Sequence, residues 1–209
     1  MGIVSRTLRF ATVLVFLGFL TGCAFGTRNP TLIYPPAPEG GTAQANNAAA
    51  QSAPKNVHII LVPFDDQRSD KKVVGTVRNG FGMRTADVVP TNSVAEWVTQ
   101  ALKTELQNDG YAVDDARAGK SPNGESAVVS GEILKAFCDM YFSYSGEVSL
   151  LAKVNRNGKD ILNKNYSGEG SAGAAIAATE KSYAQSLSLA LAATLKKFVT
   201  DLNQTLSAP

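Results

Sequence analysis

Residues able to do chemistry are few in this chain and stand far apart. Its 209 residues include one histidine, His58, and two cysteines, Cys23 and Cys138. Cys23 closes the run Leu20-Thr21-Gly22-Cys23, which follows a positive start at Arg6 and Arg9 and an apolar stretch from Phe10 to Leu20. Small residues ahead of a thiol let a peptidase approach and present a nucleophile that can take a diacylglycerol. Leu20, Thr21 and Gly22 therefore read as a lipobox, with Cys23 as the lipid attachment site. The apolar stretch is too short to cross roughly 30 Å of hydrocarbon, which takes about 20 residues. Its layout is that of an export signal, cleaved before Cys23. Ala24, in a position where aspartate would retain an inner-membrane lipoprotein, points to the outer membrane. Each buried CH₂ of such an anchor contributes about 0.8 kcal/mol.

The other candidates have structural readings. One histidine cannot build a multi-histidine metal site, so His58 reads as a sheet-face residue with a local hydrogen bond. Cys138, left alone once Cys23 is lipidated, reads as a buried thiol with no disulfide partner in the chain. Gly168-Glu169-Gly170-Ser171-Ala172-Gly173 matches G-x-G-x-x-G. A dinucleotide site would also need a following parallel strand with an acidic residue, so the run reads as a flexible link. Asp65, Asp66 and Asp70 lack the spacing of a calcium loop, and Arg68 among them suggests ion pairing on a solvated surface. Glu105 falls on the apolar arc of a helix and reads as exposed near the helix end. No base, nucleophile and orienting group converge, so no enzyme activity is expected, and no cofactor beyond the covalent lipid on Cys23.

The elements that position these residues follow from pattern. Residues 1–22 are the signal. Residues 23–55 carry the lipidated cysteine and a Pro/Ala/Asn-rich stretch that reads as a flexible tether. Some thirty such residues would reach roughly 30 Å on average. Thr31 to Tyr34 is the one part of it with enough apolar surface to dock, as an edge strand. Residues 56–209 form a single periplasmic domain. Within it, strands are expected at 56–64, 72–78, 84–89, 111–114, 127–137 and 141–156, the last alternating cleanly with period two. Asn157-Gly158 is a tight hairpin turn into a strand over 160–167. Ser93 and Glu96 form a capping box for a helix over 93–108 that Gly110 stops. A second helix runs over 180–205. The sum is an α+β fold, its sheet antiparallel-rich with a mixed one left open, of about five to seven strands with two helices on one face.

Arg6 and Arg9 account for the whole formal net charge of +2, so the mature chain is neutral and shows no basic excess for nucleic acid. Neither nucleic acid nor nucleotide is expected as a partner.

The order of features resembles the YajG-like family of small bacterial lipoproteins over most of residues 57–205. The resemblance rests on the Asp66-Gln67-Arg68 turn, Val74-Gly75, Thr85 and Thr91 before the first helix, and Val98 to Leu106 followed by Gly110-Tyr111-Ala112-Val113. It implies an outer-membrane lipoprotein and transfers no catalytic residue. The expected role is a non-enzymatic binding or accessory protein, held to the membrane by lipid and working with an envelope protein of unknown identity. The alternative is a carrier of a lipid or cell-wall fragment, in a groove lined by Trp97, Phe142, Tyr144, Tyr183 and Phe198.

Overall fold

The strand expected at 127–137 builds the spine of the molecule. The computed structural model describes residues 26–35, 55–116, 125–175 and 177–207. Leu20, Thr21, Gly22 and Cys23, the rest of the expected signal, most of the expected tether and the expected turn at 121–124 lie outside the described residues. The elements are β1 (His58–Leu61), β2 (Asp65–Asp66), β3 (Gly75–Arg78), β4 (Arg84–Val88), α1 (Val94–Asn108), β5 (Ala112–Asp115), β6 (Ser126–Met140), β7 (Ser143–Arg156), β8 (Lys159–Ala174) and α2 (Glu180–Ser207).

Strand β6 organises the rest. The chain from His58 to Arg78 runs one way along a single edge of it. His58 lies opposite Ser126, Asp65 opposite Glu132 and Gly75 opposite Cys138, all parallel. The other edge of β6 pairs antiparallel with β7, and β7 with β8. Outside this frame β5 adds parallel to β1 and β4 antiparallel to β3. The expectation of an antiparallel-rich sheet of at most seven strands is thus corrected: the sheet is mixed and eight-stranded. Four of the seven pairings among the described residues are parallel. Alternation along a strand shows which side is buried and says nothing of its neighbour's direction. That direction is fixed by crossovers, here the passage through α1 between β4 and β5.

One face of the sheet is covered by both helices. Ile59, Leu61, Val129, Ile133, Leu150 and Val154 are buried beneath them, together with Leu102, Leu106, Leu191 and Phe198 from the helices. At Leu134 the register with β7 shifts, so Ile133 and Ala136 can both point inward. Helix α1 begins as its sequence dictates, with the Ser93 side chain accepting from Glu96 N at 3.2 Å. It ends at Gly110, whose φ of +91° lets Tyr111 N donate back to Leu106 O.

The glycine run 168–173 is not a flexible link. It lies inside β8, with Gly168 opposite Val148 and Gly170 opposite Gly146. A Cβ on Gly168 would stand 2.5 Å from the Ala190 carbonyl oxygen, and one on Gly170 2.4 Å from that of Ser186. The backbone of α2 presses directly on the sheet there. Across that contact Ser186 Oγ donates to Gly170 O and Thr194 Oγ1 to Val148 O.

Candidate functional site

Residues 26–35 are the part of the chain nearest Cys23 that the structure describes, and they are docked. Arg28 and Val88 form an isolated parallel bridge, with Arg28 N donating to Asp87 O and Val89 N to Arg28 O. Leu32 N donates to Asn92 Oδ1 at 2.8 Å, and Asn92 Nδ2 returns a bond to Leu32 O at 3.0 Å. The Leu32 side chain, 3 % exposed, joins the core. Ile33 O accepts from Trp97 Nε1 of α1 and from Ser188 Oγ of α2, each at 2.9 Å. Tyr34 Oη donates to Glu105 Oε1 at 2.7 Å. Burial, and next the hydrogen bond to the Glu105 carboxylate, push that phenol well above its ordinary range. The segment is therefore a strap across both helices, where an edge strand was expected, and the start of the expected tether belongs to the core. Glu105 is half-buried and holds the strap, where exposure at the helix end was expected. The signal for this was present in Leu32-Ile33-Tyr34 and in the misplaced carboxylate on the apolar arc of α1.

The parallel bridge also sets direction. At Arg28 the chain runs in the same direction as β4 at Val88, and β4 goes back from there to Arg84. Beyond Arg84 lies the β3–β4 turn. There Asn79 N donates to Met83 O, Gly82 N to Asn79 O, and the Asn79 side chain accepts from Phe81 N and Met83 N. This turn abuts the β6–β7 turn: a Cβ on Gly82 would lie 3.2 Å from the Tyr141 ring. Arg78 ties the two together, reaching Asp139 Oδ1 at 2.7 Å, Asp139 Oδ2 at 3.0 Å and Gly82 O at 2.9 Å. Its guanidinium holds the Asp139 carboxyl below the usual range. At this tip Phe81 is 88 % exposed, Phe142 76 %, Met83 60 % and Tyr141 41 %.

The remaining sequence candidates are placed as follows. His58 Nε2 meets Asp114 Oδ2 at 3.0 Å across the β1–β5 pair, a local bond on the sheet. Cys138 is fully buried, and desolvation pushes its thiol up to about 12. Arg68 is only 5 % exposed, so the solvated-surface reading is corrected for that residue, while Asp65 and Asp70 are exposed. Its guanidinium grips both oxygens of Asp66 at 2.9 Å and also donates to Val73 O and Lys71 O. Sequence reasoning saw the charge pair and missed the backbone carbonyls that make it a staple. Trp97, Tyr144, Tyr183 and Phe198 are buried in the core, while Phe142 projects outward, so the five do not line a common groove. A cleft of about 700 Å³ opens instead beside the first turns of α1, lined by Pro63, Phe64, Ser93, Glu96, Thr99 and Gln100 among others. Among the described residues no helix is long and apolar enough to cross a membrane.

A family model described as "Uncharacterized lipoprotein" matches residues 43–206. The chain belongs to this family of uncharacterised lipoproteins. The matched span begins after Cys23 and after the strap, so the family is established by the domain. No curated protein matches the chain. Among solved structures it is similar to protein XCC0632 of Xanthomonas campestris, from family DUF330, with TM-score 0.55 and 11 % identity over 86 % of this chain and 95 % of that one. It is also similar to an uncharacterised protein with TM-score 0.50 and 9 % identity, over 73 % and 95 % of the two chains. At these identities the likeness is one of fold. Lipoprotein GNA1162 of Neisseria meningitidis shares 14 % identity over 73 % of this chain and 99 % of that one. Its TM-score of 0.35 is too low to carry an argument.

Proposed function

We propose that this member of the lipoprotein family is a non-enzymatic binding or accessory protein of the cell envelope, anchored through lipid on Cys23 and displayed from the outer membrane into the periplasm. The single observation behind this reading is the docked strap. Arg28 follows Cys23 by five residues, which span at most about 18 Å fully extended. An anchor there leaves the domain little freedom and gives it a fixed side toward the membrane. That arrangement suits a protein that must present one surface to a partner. The residues best suited to nucleophilic or acid–base work are otherwise engaged, Cys138 in the core and His58 with Asp114. Kinship with YajG-like lipoproteins is part of the same reading.

The partner surface assigned here is the cleft beside α1, which lies on the opposite end of that helix from Glu105. A photo-crosslinking residue at Gln100, which lines the cleft, tests it in intact cells, with the same residue at exposed Asn163 as control. One dominant protein captured from Gln100 and absent from Asn163 is the expected result. The same background from both positions, together with a reproducible hydrolase activity lost on changing one polar residue, would contradict it.

A further inference from the structure

We infer that the tip formed by the β3–β4 and β6–β7 turns seats in the lipid surface beside the anchor, as a second and non-covalent membrane contact. The inference rests on lipidation at Cys23. Four of the six large apolar side chains exposed among the described residues lie at this one tip: Phe81, Met83, Tyr141 and Phe142. Scattered apolar residues are ordinary on a surface, but a cluster at one end marks an interaction site.

What covers the cluster follows from where the chain leads. At Arg28 the chain runs parallel to β4, whose first residue, Arg84, lies toward the tip. Four strand steps separate Val88 from Arg84, roughly 13 Å at 3.3 Å each. The five residues back to Cys23 span at most about 18 Å, which leaves the lipidated residue within reach of this end of the sheet. A lipid surface is then the one apolar environment brought to the tip by the chain itself.

The backbone of the tip also suits that environment. Entering lipid is costly for unpaired amides and carbonyls. Asn79 closes the β3–β4 turn on itself, taking up Phe81 N, Met83 N and Gly82 N, and its own N–H is bonded to Met83 O. Phe142 O accepts from Ala175 N. No charged side chain lies among residues 79–83, and Arg78 just behind them is paired with Asp139. Tyr and Phe at such a site match the aromatic residues that sit at membrane–water boundaries.

The test uses the full chain, processed and purified from membranes, in vesicles of phosphatidylethanolamine and phosphatidylglycerol containing brominated lipid. Phe81→Trp places a fluorophore at the tip. Lys159→Trp, exposed at the far end of β7 and β8, is the control, and wild-type emission from buried Trp97 is subtracted. Metabolic labelling with a fatty-acid analogue reports acylation in the same preparations. The expected result is an acylated protein whose F81W emission shifts to the blue and is quenched, most by bromine roughly 5–10 Å below the headgroups, with K159W unaffected. Acylation with F81W unquenched would overturn the tip contact and leave the anchor standing. Blue-shifted but unquenched emission, as from burial against a second copy or another protein, would overturn it too. Loss of the acyl label would overturn the anchor reading and the tip contact together.

Discussion

Arg68 and Cys138 show how little of a residue's role is visible in its type. Arg68 stands among Asp65, Asp66 and Asp70, a pattern shared with countless solvated loops. Its burial comes from the loop between β2 and β3, which must leave the edge of β6 and return to it. The guanidinium fills that excursion and satisfies two backbone carbonyls besides Asp66. Arg68→Ala should destabilise the fold by about 3 kcal/mol, because it strands a carboxylate of which only a small part reaches solvent. Arg68→Lys should recover little of this, lacking the planar fork. Urea denaturation of the three proteins checks both expectations. For Cys138 the sequence did indicate the outcome, since a lone cysteine after an apolar strand is usually buried. Desolvation raises its thiol to about 12, so it stays protonated up to strongly alkaline pH. At pH 8 its thiolate fraction is lower by about three orders of magnitude than that of a free cysteine with a pKa of about 8.5. Native protein should therefore be almost inert to a thiol reagent at pH 8, and unfolded protein should react at once. Stopped-flow labelling with and without denaturant measures the difference.

At the scale of elements, the strongly periodic segments were legible and their partners were not. Helix α1 carries its cap in Ser93 and its stop in Gly110, and α2 carries the stripe Tyr183, Leu187, Leu191, Leu195, Phe198 and Leu202. All six of those side chains are buried. The turn at Asn157-Gly158 has φ values of +55° and +79°, as its two residues permit. The glycine run of β8 was misread because glycine carries two messages. It can loosen a chain, or it can admit a neighbouring backbone that any Cβ would exclude. Only the position of α2, far along the chain, decides between them. Gly170→Ala should force α2 off the sheet and cost about 1–3 kcal/mol, and Gly80→Ala, at an exposed position where a Cβ meets nothing within 4 Å, should cost less. Thermal unfolding of the two variants separates close packing from chain flexibility. The parallel pairing of β1, β2 and β3 along β6 escaped for a related reason: each is too short to report a direction, and what unites them is the edge they share.

At the scale of the whole molecule, the strap changes what a lipid anchor on Cys23 would mean. Composition made residues 23–55 look like one spacer, and a spacer of that length would leave the domain free to swing at roughly 30 Å. Leu32, Ile33 and Tyr34 interrupt it with contacts to both helices. What lies between Cys23 and the domain is then a few residues, and the stretch from 36 to 54 joins two parts of one folded unit. The lipobox pattern ending at Cys23 was the clearest signal in the sequence, and the domain places the chain among lipoproteins without reaching that residue. The most direct measurement is the intact mass and N-terminal peptide of the protein extracted from membranes. The expected result is a chain that begins at Cys23 and carries the added mass of a diacylglycerol and an amide-linked acyl chain, all of it lost in Cys23→Ala. A mature chain that begins elsewhere, or that carries Cys23 as a free thiol, would contradict it.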